Sequence, residues 1–386
     1  MNPSESSKLI KEKQSNTNTQ QKQTTDKSTI PNFSEKQKGV MINIILIIIL
    51  IAFLIICIII YLINNKTMNI YLNILKNQNK KATLPSDEKT KYDESLLDEK
   101  KICSTNKKFA ILRRTSCVPC GLFSYYIVHL GCIINYLKHG YIPILEVGSF
   151  SNVFTGGKLP DDNPWEQFFN QPCGYTFDEV VRKKDVEIFE CVCVGDMPDE
   201  KTVYSNKIMW DYHHQIQEKY MSIKNKLLLE SEKLWKNLFG DSKNILGILL
   251  RGTDYTSRRP PGHAKPPSVN RAINDTIKMD DQYKYDFIFL ATEDNKIRNK
   301  FIKKFGDKLK YILPEKQINY NYKRRNFLSF NIKVYGNLSF MKTYILSIII
   351  LSKCEDIISA RTSGAAGVFI LSKGFRNSLV YYLGEY

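Results

Sequence analysis

The chain has 386 residues, with 56 Lys and Arg against 39 Asp and Glu, 43% apolar residues and nine cysteines. This apolar content excludes a disordered chain, and the cysteine density is far below that of a small disulfide scaffold. The net charge of +17 leaves nucleic acid, an anionic membrane surface and a phosphorylated ligand as candidate partners, so the location of the charge must be found first.

The N-terminal residues divide into a polar tail and an apolar segment. Residues 1–38 are rich in Ser, Thr, Asn, Gln and Lys and predict a disordered tail. Residues 39–63 contain the uncharged apolar run Val40–Ile63, which as a helix is long enough to cross a hydrocarbon core of about 30 Å. We therefore predict a transmembrane signal anchor that attaches the protein to a membrane through residues 40–63.

The orientation of this segment is open on charge alone, because four lysines precede it and four follow it within about twenty residues. A short tail, one span and a large C-terminal part favour a type II protein of the Golgi or ER with a lumenal catalytic domain, and the reverse orientation remains the alternative. Residues 64–100 are polar and poorly periodic, which predicts a stem.

Two series of alternating strands and helices follow. The first occupies residues 101–239, with strands predicted at Phe109–Leu112, Tyr141–Val147 and Val186–Val194, and helices at Tyr125–Leu137 and Tyr212–Leu238. The second occupies residues 240–386, with strands predicted at Asn244–Leu250, Asp286–Thr292, Leu309–Leu313 and Asp356–Ser359, and helices around Ile273, at Asn295–Phe305, at Phe340–Lys353 and from Gly364. This alternation predicts an α/β fold with parallel sheets and a cleft between two halves, where ligands lie at the carboxyl ends of the strands.

An arginine motif follows the first strand of the second series. Arg251, Gly252 and Asp254 supply a guanidinium for a phosphate, a residue that permits close backbone approach and an acid that orients the arginine. The structural alternative is a surface turn in which Arg251 and Asp254 only pair with each other. The following loop, Arg258–Lys265, is rich in proline and carries His263; it either covers the cleft or is solvated.

Two further motifs follow strands. Glu293 and Asp294 precede a helix, where a carboxylate either caps the helix or orients Arg251 or holds a nucleotide. The last predicted strand leads through Arg361 into Thr362, Ser363 and Gly364 at the start of the final helix. The backbone N–H groups there form a cradle for a phosphate, unless these small residues serve only packing and capping.

These motifs, in this order, resemble the three sugar-nucleotide motifs of the superfamily that holds the α1,6-, α1,2- and protein O-fucosyltransferases. The resemblance is closest to bacterial and protist members in which a Pro-x-Gly-His loop follows the first motif, as in Pro260–His263 here. It covers mainly Asn244–Tyr386, and Asn163–Pro172 is similar to the acceptor-side half of those relatives.

The resemblance implies a GT-B-like fold of two Rossmann-like domains and a metal-independent, inverting transferase with GDP-fucose as donor. It implies that Arg251 binds the donor β-phosphate, that Asp254 and Glu293 or Asp294 are the acidic positions, and that Thr362, Ser363 and Gly364 form the phosphate-side loop. A glycan or glycoprotein is the expected acceptor. The sequence departs from the pattern at Leu249 and Gly252, where the family commonly has a histidine and an arginine.

The chemistry of glycosyl transfer requires a cation or dipole at the leaving diphosphate and a base at the acceptor hydroxyl. Arg251 and the helix N-terminus at Ser363 meet the first requirement, and His263 and Glu146 are the candidate bases. No Asp-x-Asp motif lies between strands, so we predict no metal site and no cofactor apart from the donor substrate.

The cysteines and the charge leave two further interpretations. Eight cysteines follow the apolar segment, an even number that fits disulfides of open connectivity in an oxidising compartment, whereas one Cys-x-x-Cys at Cys117 and Cys120 is weak evidence for zinc. Much of the excess charge lies in Lys-rich helices such as Asn295–Lys304, which argues against nucleic acid as a partner. A membrane-anchored, lectin-like protein that has lost catalysis is the alternative function.

Overall fold

The computed structural model describes residues 92–106, 108–115, 120–155, 162–192, 196–199, 202–314 and 338–386. The predicted tail, the predicted membrane segment and the stem up to residue 91 lie outside these ranges, as do Cys117 and Cys193. Within the ranges given, no helix has both the length and the apolar character needed to span a membrane.

Strands and helices alternate along the described chain. The strands are β1 (Lys108–Arg113), β2 (Tyr141–Leu145), β3 (Val186–Glu190), β4 (Ile245–Leu249), β5 (Phe287–Ala291), β6 (Leu309–Lys310), β7 (Asp356–Ala360) and β8 (Asn377–Tyr381). The α-helices are α1 (Glu99–Thr105), α2 (Leu122–Lys138), α3 (Phe177–Val181), α4 (Lys207–Tyr220), α5 (Asn225–Phe239), α6 (Thr253–Ser257), α7 (Val269–Tyr283), α8 (Asn295–Phe305), α9 (Leu338–Ser352) and α10 (Ser363–Leu371).

The strands form two parallel sheets, which confirms the α/β class. The first sheet has the order β2-β1-β3 and the second the order β6-β5-β4-β7-β8. In the second sheet Ile248 of β4 lies between Leu290 of β5 and Ile358 of β7. Because β5 lies on one side of β4 and β7 on the other, the chain reverses its direction of progress at β4, and a crevice opens at the carboxyl ends of these strands.

Apolar residues explain why these elements are internal. Every residue of β4 and β7 is buried, which is the pattern of a central strand covered on both faces. Helix α2 is apolar on nearly all sides and is almost wholly buried. It lies directly against α10, since a Cβ on Gly367 would come within 2.3 Å of the Phe123 ring. Glycine at this position therefore permits the contact that joins the two series of elements.

The single long helix predicted at Tyr212–Leu238 is wrong, because the chain forms two helices separated at Met221–Lys224. The backbone of this separating segment pairs with another part of the chain. The Asn170 amide donates to the Ser222 carbonyl at 2.8 Å, and the Lys224 amide donates to the Phe168 carbonyl at 2.9 Å. These bonds hold the segment in an extended conformation and interrupt the helical ladder.

Several predicted strands are shorter in the structure and one strand is new. The strands expected to end at Val147, Val194 and Leu313 end at Leu145, Glu190 and Lys310. Strand β8 extends the second sheet beyond β7. It is held by Asp356, whose fully buried carboxylate accepts hydrogen bonds from the Asn377 amide at 2.7 Å and from the Arg376 guanidinium at 2.6 Å.

The last residues of the predicted stem belong to the folded part. Leu96, in a short 3₁₀ helix at Glu94–Leu97, is 1% exposed and contributes to the largest hydrophobic core. Disulfides join Cys103 to Cys173 and Cys132 to Cys191. The first of these bonds fixes α1, which follows the same segment. The folded region therefore begins before residue 101.

Candidate active site

A cavity of about 350 Å³ lies at the carboxyl ends of the strands of the second sheet. Its walls include the ends of β4 and β5, the start of α10 and one side of α9. The first turn of α2 closes another side through Leu122, Phe123 and Ser124. Both series of elements therefore contribute to one cavity, at the place where the crevice in a parallel sheet is expected.

Arg251 lies two residues after the end of β4 and lines the cavity. Its Nη2 lies 2.9 Å from Asp254 Oδ1, its Nε lies 3.2 Å from Glu293 Oε1, and its guanidinium lies over the Tyr255 ring. Burial alone would lower the pKa of Arg251, but the carboxylates of Glu293 and Asp254 raise it well above its usual range. The arginine is therefore a fixed cation, and the structure brings these motif residues together.

The adjacent acids Glu293 and Asp294 have different tasks. Glu293 Oε1 lies beside Arg251 and accepts hydrogen bonds from the Gly252 amide and the Thr253 hydroxyl. Asp294 caps α8 by accepting from the Lys296 amide at 2.7 Å, and it does not line the cavity. Glu293 therefore lies where it orients Arg251, whereas Asp294 caps α8.

Gly252 is a packing position beside the cavity. A Cβ there would come within 2.2 Å of the Asp294 carboxylate, so no side chain fits without displacing the cap of α8. The Thr253 amide donates to the same carboxylate at 3.1 Å. The loop after β4 is thereby attached to the loop after β5, which fixes the backbone that carries Arg251.

Tyr344 is a site residue that the sequence motifs did not reveal. It lies in α9 and lines the cavity, as Arg251 does, and the two side chains interact electrostatically. Burial raises its pKa to about 12, so the hydroxyl keeps its proton. The available signal was the polar spacing of an otherwise apolar helix, since Ser347 follows Tyr344 by three residues and Thr343 by four.

The N-terminus of α10 forms the opposite wall. Thr362 caps the helix by accepting from the Ala365 amide at 3.1 Å, and its own amide donates to the Tyr204 hydroxyl at 3.1 Å. Ser363 and Gly364 line the cavity, and the amides of the first turn have no acceptor within their own helix. A Cβ on Gly364 would come within 2.1 Å of the Tyr344 hydroxyl, so glycine permits this close approach.

His263 lines the cavity from the loop after α6. The side chain is exposed, its Nδ1 lies 3.2 Å from the Pro261 carbonyl, and its ring meets the Tyr255 ring edge to face at 5.5 Å. The loop is held by residues far along the chain: the Lys265 amide donates to the Gly384 carbonyl and the Tyr386 amide to the His263 carbonyl. This attachment places the histidine at the cavity.

Glu146 and Arg361, like Gly252 and Asp294 above, are predicted site residues that do not line the cavity. The carboxylate of Glu146 is 1% exposed, forms an ion pair with Arg113 at 2.7 Å and accepts hydrogen bonds from the Gly148 and Ser149 amides. It therefore stabilises the turn after β2, and the structure does not place it where a base would act. The guanidinium of Arg361 lies over the Tyr382 ring at 4.1 Å, outside the set of lining residues.

Arg298 is a second lining residue that the motifs missed. It lies in the first turns of α8, is 9% exposed and donates a hydrogen bond to the Asn295 side chain. Its guanidinium lies 5.7 Å from the centroid of the Tyr311 ring. Nothing distinguished it in sequence from the neighbouring lysines of the same helix, which are exposed. No group of three His, Cys, Asp or Glu residues suited to a metal occurs within the described ranges.

No protein-family model and no curated protein sequence matches this chain. Similar solved structures include NodZ α-1,6-fucosyltransferase soaked with GDP-fucose, with 13% identity over 69% of this chain and 93% of that chain and a TM-score of 0.41. Fucosyltransferase NodZ from Bradyrhizobium has 12% identity over 69% and 94% and a TM-score of 0.41. POFUT1 in complex with GDP has 11% identity over 72% and 98% and a TM-score of 0.42. At these values the similarities do not assign an activity to this chain.

Proposed function

We propose that this protein is a glycosyltransferase that transfers fucose from GDP-fucose to a glycan or glycoprotein. The observation that supports it is the cavity in which the permanently charged Arg251, the protonated Tyr344 hydroxyl and the N-terminus of α10 come together. These groups are hydrogen-bond donors of three kinds. Such a convergence fits the oxygens of a diphosphate.

The transfer itself requires these donors where charge develops. The acceptor oxygen forms a bond to the anomeric carbon, the bond from that carbon to the phosphate oxygen breaks, and its electron pair remains on the leaving diphosphate. Donors that are already aligned lower the barrier because they need no reorganisation as the charge appears. The proposal assigns this task to Arg251, Tyr344 and the amides of Ser363 and Gly364, without a metal ion.

His263 is the base in this proposal. Its ring lines the cavity, and its exposure leaves room for an acceptor to approach from solvent. It removes the proton of the acceptor hydroxyl as the new bond forms, which is the role that an inverting transfer requires. The proposal does not use Glu146 as the base, because its buried carboxylate is already engaged by Arg113 and the Gly148 amide.

The proposal includes anchoring by residues 40–63 and a type II arrangement with the catalytic part in the Golgi or ER lumen. The apolar, uncharged sequence of that segment supports the anchor. The Cys103–Cys173 and Cys132–Cys191 disulfides support an oxidising compartment.

A donor screen on the full-length protein in detergent tests the function. GDP-fucose, other GDP-sugars and UDP-sugars are offered in turn with and without EDTA, and the released nucleotide is measured. We expect GDP release from GDP-fucose that persists in EDTA and falls sharply in Arg251→Lys, which keeps the charge but loses the fork geometry. Arg182→Ala removes an exposed arginine and serves as the matched control.

The outcomes separate the alternatives. Equal release by wild type and Arg251→Lys would contradict an enzymatic role for this site, and nucleotide binding without turnover would favour the lectin-like alternative. Consumption of UDP-sugars alone would contradict fucose as the donor sugar. Release abolished by EDTA and restored by a divalent cation would contradict metal independence.

A further inference from the structure

Arg298 is a buried cation that has no role in the diphosphate site proposed above. It lines the cavity, as do Thr292, Asn295, Ile312 and Pro314. Its side chain is held by the Asn295 amide oxygen and the Tyr311 ring. Burial lowers its pKa, yet an arginine remains charged in a protein.

The guanidinium has more donors than its described partners use. An arginine carries five N–H donors, and the side-chain hydrogen bond found for Arg298 goes to Asn295. It forms no ion pair with any carboxylate in the described ranges, in contrast to Arg251, which has two. Because Arg298 lines the cavity, these donors are available to a ligand with acceptor atoms.

The place of Arg298 in the sheet separates it from the proposed diphosphate site. The N-terminus of α10 follows β7 and Arg251 follows β4, whereas Arg298 lies in the helix that connects β5 to β6. Its guanidinium lies over the ring of Tyr311, the residue that follows β6. Neighbouring strands are about 4.8 Å apart, so the β5–β6 end of the cavity is about 10 Å from β7. This separation is comparable to that between the terminal phosphate and the base of an extended nucleoside diphosphate.

We propose that Arg298 recognises the nucleobase of the donor and selects guanine, an inference that rests on the proposed function. The fork of the guanidinium matches the O6 and N7 acceptors of guanine, to which arginine donates two hydrogen bonds. Adenine presents an amino group in place of O6, so two donors would face each other. Ile312 and Pro314 are apolar residues suited to contact the faces of a planar ring.

Nucleotide binding by the full-length protein in detergent tests this assignment by isothermal titration. The ligands are GDP, IDP, 7-deaza-GDP, ADP and inorganic pyrophosphate. We expect wild type to bind GDP and IDP more tightly than ADP, and 7-deaza-GDP more weakly than GDP because it lacks N7. In Arg298→Ala the affinity for GDP and IDP falls by about tenfold to a hundredfold, while the affinities for ADP and pyrophosphate are unchanged.

The controls distinguish the ways in which this inference can fail. Lys300→Ala removes an exposed cation from the same helix and leaves every affinity unchanged. Equal weakening of GDP and pyrophosphate in Arg298→Ala would make Arg298 a phosphate ligand and overturn the proposal. Equal binding of GDP and 7-deaza-GDP by wild type would overturn it without any variant, should Arg298→Ala not fold. Wild type that binds none of these nucleotides would overturn the proposed function as well.

Discussion

At the scale of residues, the charge of Arg251 is already compensated inside the protein. Two carboxylates, Asp254 and Glu293, lie beside one guanidinium, so the three groups together carry one negative charge. Arg251 can orient a diphosphate, but this cluster does not attract one by net charge. Binding therefore depends on the neutral donors around it, the Tyr344 hydroxyl and the first-turn amides of α10.

Replacing Tyr344 by Phe tests this dependence. The ring is retained, but the cavity loses a hydroxyl donor. A hydrogen bond to a charged group contributes about 1.5–3 kcal/mol, so we expect the affinity for GDP to fall at least about tenfold. Tyr382→Phe, at an exposed tyrosine, is the control. Wild-type GDP affinity in Tyr344→Phe would contradict the proposed role.

His129 makes stability depend on pH. It is fully buried against Tyr125 and Trp165, and neither ring nitrogen has a hydrogen-bond partner in the described residues. Burial lowers its pKa to about 3, below the value of about 6.5 in an unfolded chain. Between these two pH values the unfolded chain carries a proton on this histidine that the folded protein does not. The free energy of unfolding is therefore fully present above about pH 6.5 and decreases as the pH falls.

We expect unfolding free energy to decrease by about 2 kcal/mol from pH 7 to pH 5 through this residue alone. Urea unfolding at both pH values measures the loss. His129→Leu removes the titrating ring and the unsatisfied nitrogens, and should lose about 2 kcal/mol less than wild type over this interval. His139→Gln, at an exposed histidine, should retain the wild-type loss. The same loss in His129→Leu as in wild type would show that other groups are responsible.

Motif residues were the predictable part of the candidate site. Arg251, Asp254, Glu293 and Ser363 each follow a strand closely, and parallel strands bring their carboxyl ends to one edge. Glu146 follows a strand of the other sheet, and its buried ion pair with Arg113 depends on the register of β1 and β2, which periodicity does not reveal. Tyr344 and Arg298 come from helices whose rotation about their own axes is set by packing.

At the scale of elements, α10 depends on its cap. Thr362 accepts from the Ala365 amide, and Ser363 and Gly364, which precede Ala365 in the first turn, line the cavity. Local sequence predicts this helix start, because a hydroxyl residue precedes small and apolar residues. Local sequence does not predict the break between α4 and α5, since the break depends on backbone hydrogen bonds between Ser222–Lys224 and Phe168–Asn170.

Removing the cap tests whether the first turn of α10 serves binding as well as stability. Thr362→Ala should lower the unfolding free energy by about 1 kcal/mol, and it should weaken GDP binding because the first-turn amides lose their alignment. Thr176→Ala removes the cap of α3, which is exposed and belongs to a capping box. This substitution should lower the free energy of unfolding by a similar amount and leave GDP binding unchanged. Equal effects of both variants on binding would contradict a specific role for α10.

At the scale of the whole molecule, covalent bonds join distant parts of the first series of elements. The Cys103–Cys173 bond closes a separation of 70 residues and Cys132–Cys191 one of 59. Cys354 is a free, buried thiol, and burial raises its pKa. The even count of cysteines suggested disulfides but left the pairs open, because pairing requires the distances that only the fold supplies.

Loss of the Cys103–Cys173 bond should destabilise the protein strongly. A cross-link across 70 residues restricts the unfolded chain by about 4 kcal/mol. Urea unfolding of the double variant Cys103→Ser, Cys173→Ser should show a loss of about this size, and each single variant should show the same loss, since one substitution already removes the bond. A double variant as stable as wild type would contradict the bond. Mass spectrometry of the intact wild-type chain would then find the Cys103 and Cys173 thiols free.

The sequence by itself determined the α/β class, the order of most strands and helices and the loops that carry the phosphate-binding chemistry. Hydrophobic periodicity and strand-end motifs are local, so they can be read without the fold. Tertiary structure decided which of these loops share one cavity, that Glu146 lies outside it, and that Tyr344 and Arg298 lie within it. Those outcomes depend on packing between α2, α9 and α10 and on the strand order 6-5-4-7-8, which are long-range contacts that no local pattern records.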